Sequence, residues 1–148
     1  MIGIDASEDG IAIARKAHPN VRFEVHSTYD DLRDVVVDVD VVVSSEVIEH
    51  LYHPKLFLEN VFKVLRPGGN TILTTPYHGY LKNLALSLFN HWDKHHTVDR
   101  EGGHIKFFSV NTLAGMLSAC GFTDFLFNNA GRVRWLWKSM VCRAKKPE

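Results

Sequence analysis

Residues 38–45, DVDVVVSS, carry a β-branched run that does not alternate apolar with polar. A strand with one wetted face alternates, so this run predicts a strand buried on both faces, as in a parallel sheet layered with helices. The rest of the chain fits that frame. Residues 1–5 form a short apolar run ending in an acid, residues 21–25 alternate as a strand does, and residues 71–75 form the next strand. Residues 122–127 and 135–144 read as two closing strands. Between them, Ser7 is placed to cap a helix whose first turn holds Glu8 and Asp9, with Ile11, Ala14 and Arg15 at helical spacing until Pro19-Asn20. Pro54 suits the first turn of a second helix, Phe57, Val61, Val64 and Leu65 form its apolar stripe, and Arg66-Pro67-Gly68-Gly69 is expected to terminate it. Leu81, Leu84, Ala85 and Leu88 mark an amphipathic stretch, followed by a polar loop or lid over 91–103. Ser109 caps a last helix, and Gly121 is placed to end it in the left-handed conformation.

The predicted class is therefore α/β: a layered sheet with right-handed crossovers, ligands beyond the carboxyl ends of its strands, and residues 77–103 as a helical or loop insertion. The expected sheet is parallel through 1–5, 21–25, 39–45 and 71–75, with an antiparallel last strand near 136–145. A chain of 148 residues suits one domain. Seventeen Lys+Arg balance seventeen Asp+Glu, so charge gives no argument for nucleic acid or an acidic membrane surface. No apolar run reaches the roughly 18 residues of a membrane span and no signal-peptide pattern opens the chain, which predicts a cytoplasmic protein. Cys120 and Cys142 lie far apart without a CxxC pattern, which indicates neither a disulfide framework nor a zinc ribbon.

Three places carry chemistry. Asp5 closes a strand ahead of a helix, where nucleotide-binding α/β folds hydrogen-bond a cofactor's ribose; it is equally placed to cap the helix. Ser27, Thr28, Tyr29 and Asp30 form the next ligand-facing edge, suited to an adenine or to an ordinary turn. Ser44, Ser45, Glu46, Glu49 and His50 stand where the buried strand emerges. Helical spacing there would set Glu46, Glu49 and His50 on one face, able to hold a divalent cation or to act as acid and base. The alternative is a solvated helix start with its acids favoured by the dipole.

GIDAS at 3–7, DVVVSSEVIEHL at 40–51, FLENVFKVLRPGG at 57–69, ILTTP at 72–76 and HIKFFSVNTLAGMLSACGF at 104–122 together resemble the second half of a class I S-adenosylmethionine-dependent methyltransferase, in its ubiquinone-biosynthesis-like branch. The resemblance implies a Rossmann-like sheet with helices on both faces. It also implies S-adenosylmethionine as cofactor, with Asp5 at the ribose, Ser27, Thr28 and Tyr29 beside the adenine, and Ser44, Ser45 and Glu46 beside the methionine part. Ser27 replaces the family's usual acid. EVIEH is similar to the E-x-x-E-H string that binds a divalent metal in small-RNA 2'-O-methyltransferases and some ubiquinone O-methyltransferases. This implies Glu46, Glu49, His50 and His104 as ligands of Mg²⁺ or a similar cation, with His50 or His104 as the base. Tyr77 and His78 would face the acceptor or serve as polar loop residues.

The family's first strand and glycine-rich loop would lie ahead of Met1, so the chain is expected to be a fragment lacking the sheet's central strand. Either strands 1–5 and 39–45 then pair directly or another chain fills the gap, and exposed sheet edges could support a dimer. The expected function is methyl transfer to a small-molecule nucleophile, with RNA ranked below it. The alternative is a truncated, non-catalytic remnant or interaction module. A nicotinamide-dependent enzyme would need a G-x-G-x-x-G loop that the sequence lacks.

Overall fold

A computed structural model describes residues 1–96, 101–131 and 137–148, apart from the side chain of Lys94. Its elements are β1 (Ile2–Asp5), α1 (Glu8–Ala17), β2 (Arg22–Val25), β3 (Val39–Ser45), α2 (Pro54–Val64), β4 (Leu65–Pro76), α3 (Tyr80–Leu88), α4 (Trp92–His96), α5 (Val110–Ala119), β5 (Thr123–Ala130) and β6 (Ser139–Lys145). Single 3-10 turns at Leu32–Asp34 and Ile48–His50 complete the order. This is the α/β alternation expected from the sequence.

Local chemistry sets the helix ends. Ser7 Oγ accepts from the Gly10 amide at 3.1 Å to open α1. Ser109 and Thr112 form a reciprocal capping box at α5. That helix runs into Gly121 at φ 93°, a left-handed backbone that glycine adopts without strain. At the end of α2, Lys146 Nζ donates to the carbonyls of Phe62 (2.8 Å) and Leu65 (2.6 Å) and lies 4.8 Å from the Phe62 ring centre. Lys146, just beyond β6, thus caps the carboxyl end of α2.

Two stretches differ from expectation. Leu65 already has extended dihedrals, as suits the approach to Pro67, so β4 begins directly after α2 and runs for 12 residues. The glycine pair serves a bulge: Val39 pairs with Leu65 but Val41 pairs with Asn70, and Gly68 takes φ 75° inside the irregularity. The 91–103 segment is not simply an exposed loop, because Trp92–His96 is a helical turn with His95 and His96 half-buried. Residues 97–100 of it lie outside the described residues, as do 132–136, which include the start of the expected last strand.

β1 and β2 form a parallel pair, and the other strands form a sheet of order β3-β4-β6-β5. β3 and β4 are parallel, while β6 runs antiparallel to both β4 and β5. Among the described residues no ladder joins β1 to β3, so of the two expected arrangements the direct pairing of 1–5 with 39–45 does not form. The physical reason is visible on β3, where Val41 and Val43 are 47% and 66% exposed. Backbone groups on so exposed an edge are open to water, which can satisfy them without a second strand.

The core lies on one face of the four-stranded sheet. Phe57, Leu58, Val61 and Val64 of α2 and Leu113 and Leu117 of α5 pack with Leu73, Met140, Cys142 and Ala144. Each large apolar side chain so buried contributes about 1.5–3 kcal/mol. The other face carries the cross-strand row Val43, Ile72, Arg143 and Leu126, in which Leu126 is 51% exposed. The β1–β2 unit is tied to the body through the loop after β2. There the buried Asn60 of α2 donates to the carbonyls of Thr28 (3.2 Å) and Asp30 (2.8 Å).

Candidate functional site

β1 through β4 are parallel within their sheets, and their carboxyl ends carry most of the residues singled out in the sequence. Asp5 is exposed at the end of β1, and one carboxylate oxygen accepts from the Ser7 amide at 2.7 Å, which closes a turn just ahead of the Ser7 N-cap. Ser27 Oγ accepts from the Tyr29 amide at 3.1 Å, and Tyr29 Oη accepts from the Tyr52 amide at 2.8 Å. With Asn60 holding Thr28, this edge is a braced loop rather than a free turn.

Ser44 pairs with Leu73, and Ser45 pairs with Thr74 at the end of β3. The Thr74 hydroxyl donates to Glu46 Oε1 at 2.9 Å, so the Ser45 hydroxyl, 3.0 Å away, must donate to Thr74. The Glu46 amide donates to the Thr74 carbonyl at 3.0 Å. Glu46 sits at φ 52°, an uncommon backbone for a residue with a β-carbon. That turn corrects the expected helix: only Ile48–His50 is helical, as one 3-10 turn. Glu46 is therefore held on Thr74, and the structure does not gather it with Glu49, His50 and His104.

Those three do come together. Glu49 is 1% exposed, and neither carboxylate oxygen has a hydrogen-bond partner. Burial above all pushes its carboxyl up from the ordinary range, with Glu46 adding to the rise, while its own backbone, the Thr75 hydroxyl and His50 act the other way. The Glu49 carbonyl accepts from the amides of Ile105 and Lys106, both at 2.9 Å, which folds the chain after Gly102 (φ 71°) back over the 3-10 turn. This return sets the His104 ring 4.9 Å from the His50 ring. His50 Nδ1 lies 3.2 Å from the Gly103 carbonyl. A carbonyl can only accept, so Nδ1 carries a proton in this contact. Nε2 is the nitrogen facing Glu49, 4.0 Å from Oε1.

One donor atom each from Glu49, His50 and His104 lie within 4.8 Å of one another. Metal bonds of about 2.0–2.2 Å set neighbouring donors roughly 3–3.5 Å apart, so the three side chains must close in by more than 1 Å to share an ion. An imidazole whose other nitrogen is anchored to a carbonyl is what a ligating set uses, and the buried Glu49 carboxylate supplies the oxygen donor. The residues fit a divalent cation, with two nitrogens and one oxygen as donors.

Beyond β4, Tyr77 and His78 are absorbed into a lid. The Tyr77 carbonyl accepts from Lys82 Nζ at 2.7 Å, and its ring meets Trp137 at 5.4 Å. His78 is 7% exposed and packs against His95 and His96, each at 5.7 Å, and Phe107 at 5.0 Å. Trp92 stacks on His96 at 4.8 Å. Burial first, then Lys82, His95, His96 and His104, pushes His78 down to about 3, so it is neutral at pH 7. Reading the sequence did not single out Thr75, a second buried hydroxyl at an inward position of β4, although Thr71-Ile72-Leu73-Thr74-Thr75 shows both inward threonines.

A family model described as a methyltransferase domain matches residues 1–125. A "Probable S-adenosylmethionine-dependent methyltransferase" of Mycolicibacterium smegmatis is 40% identical over 76 residues, covering 51% of this chain and 29% of the relative. The ubiquinone biosynthesis O-methyltransferase of Ruegeria pomeroyi is 27% identical over 149 residues, covering 93% of this chain and 57% of the relative. The chain thus spans less than two thirds of either curated relative. A solved SAM-dependent methyltransferase of Thermotoga maritima, described as a possible histamine N-methyltransferase, superposes with a TM-score of 0.74 at 19% identity. That match covers 98% of this chain and 72% of the solved one. The sheet order, the layering and the match over residues 1–125 lead to one assignment: the chain belongs to the methyltransferase domain family.

Proposed function

We propose that this domain takes part in methyl transfer from S-adenosylmethionine to a hydroxyl of a small molecule. The sulfonium is itself a strong electrophile, so the protein's work is to align donor and acceptor and to receive a proton. Asp5 would serve the ribose through the oxygen that Ser7 does not use, the braced Ser27, Thr28 and Tyr29 would flank the adenine, and Ser44, Ser45 and Glu46 would line the methionine end. Glu49, His50 and His104 would hold a divalent cation that orients the acceptor oxygen and lowers its pKa. Two imidazoles and one carboxylate suit Mn²⁺, Fe²⁺, Co²⁺ or Zn²⁺ better than Mg²⁺, which prefers oxygen donors and retains water. Without a cation, His50 Nε2 is the nitrogen available as base.

The single observation that carries this reading is the buried, unpartnered Glu49 carboxylate beside His50 and His104. Calorimetric titration of the chain with S-adenosylhomocysteine, alone and with Mn²⁺, tests it. Binding that weakens in Asp5→Ala, together with Mn²⁺ binding lost in Glu49→Ala and His104→Ala, is the expected result. The open edges of β1 and β3 favour a second reading, an interaction module. Absence of cofactor binding with the fold intact would select it.

A further inference from the structure

We propose that Thr75 is a positioning residue for Glu49, its hydroxyl donating to one carboxylate oxygen so that the other stays turned toward His50 and His104. Thr75 is 0% exposed and its Oγ1 makes no hydrogen bond of full geometry, the Glu49 oxygens are in the same condition, β4 touches the Ile48–His50 turn, and the Thr75 hydroxyl is near enough to act on the Glu49 carboxyl. Buried polar groups are almost always paired, so two adjacent orphans of matching type are each other's partner. A threonine hydroxyl supplies a donor, and an ionised carboxylate only accepts.

The placement follows from the strand. Inward positions of β4 alternate, and Thr71, Leu73 and Thr75 all point into the helix-covered layer. Thr71 spends its hydroxyl on the Val42 carbonyl at 3.3 Å. Thr75, four residues on, has passed that carbonyl and arrives beneath the Ile48–His50 turn. Leucine or valine would fill the same space with less cost, as Leu73 does. A hydroxyl there is explained by what it faces. Ligating carboxylates are themselves hydrogen-bonded, and the loss of such a partner typically weakens metal binding about 10–100-fold.

The proposal rests on the cation reading of the Glu49 site, and the experiment separates the two. Co²⁺ is titrated into the whole chain and into Thr75→Val and Thr75→Ser, following its visible absorption, with circular dichroism reporting the fold. Valine keeps the shape and removes the orphan hydroxyl, so that variant is expected to fold. Co²⁺ affinity should fall at least about tenfold in Thr75→Val and return to within about threefold in Thr75→Ser. Equal affinity and an unchanged spectrum in Thr75→Val would overturn the proposal. If the wild-type chain binds no Co²⁺, the cation reading fails and a second measurement decides on Thr75. A slowly exchanging Thr75 hydroxyl proton with a nuclear Overhauser contact to the Glu49 side chain, shifted in Glu49→Gln, would support positioning. Its absence in the folded chain would overturn it.

Discussion

At the scale of single residues, the site is held in a state that costs stability. Glu49 has a folded pKa raised above 4.5, so its charged form is disfavoured in the native chain. Its favourable contribution is therefore present below pH 4.5 and is lost as pH rises through the folded value. Glu49→Gln should raise the melting temperature of the metal-free chain at pH 7.5, with the gain fading below pH 4.5, and should abolish stabilisation by Mn²⁺. A thermal melt with and without Mn²⁺ checks both. His78 has the opposite linkage. Its folded pKa of about 3 lies below the ordinary 6.5, so its contribution is present above 6.5 and is lost as pH falls toward 3. His78→Gln should be less stable at pH 7.5 yet show a smaller fall in melting temperature between pH 7.5 and 5 than the wild type. Glu49 and His50 drew notice in the sequence because they follow the end of a buried strand, whereas His104 entered only through the family resemblance. Glu46 was misread because a left-handed backbone at a non-glycine residue leaves no mark in a hydrophobic pattern. Thr75 was passed over because burial of a threonine in a strand is visible only once the facing turn is placed.

At the scale of elements, capping and periodicity predicted the helices well, because Ser7 and Ser109 bond to their own first turns and the ring of Pro54 fixes a helical φ at the start of α2. What depended on distant partners was less legible. The expected helix stop at residues 66–69 became a bulge of β4, since its register against β3, not the local glycine content, decided the backbone. The loop after β2 is a similar case: its shape comes from Asn60, 30 residues downstream of Asp30. Asn60→Ala removes three bonds from a side chain that is 2% exposed, two to the loop carbonyls and one from Lys63 Nζ. It should lower unfolding free energy by about 1–3 kcal/mol in urea denaturation. Because the two loop bonds brace Thr28 and Tyr29, it should also weaken S-adenosylhomocysteine binding in calorimetry. A stability loss with unchanged affinity would take this loop out of the cofactor site.

At the scale of the whole molecule, the expected fold class is met, while the uninterrupted run at 39–45 meets a surface that is not covered on both sides. The Thr71 hydroxyl bonds the Val42 carbonyl and the Thr74 carbonyl receives the Glu46 amide, so the even residues of β3 turn their backbone toward β4. The amides of Val41, Val43 and Ser45 then point to the unpaired edge. Their side chains also stand exposed, with Val43 beside Ile72 in the row that ends at Leu126. A long, apolar, unpaired edge is a template for another strand, and a formal net charge of zero at pH 7 offers little repulsion against it. The chain should therefore associate with itself in a concentration-dependent way, and a charge on the edge should oppose this. In sedimentation velocity, Val43→Lys should shift the distribution toward monomer, whereas a lysine at the equally exposed Leu88 of α3, away from the sheet, should not. If both variants and the wild type sediment as the same species at all concentrations, the edge does not drive association. A shift produced by the Leu88 variant alone would instead move the contact surface to α3.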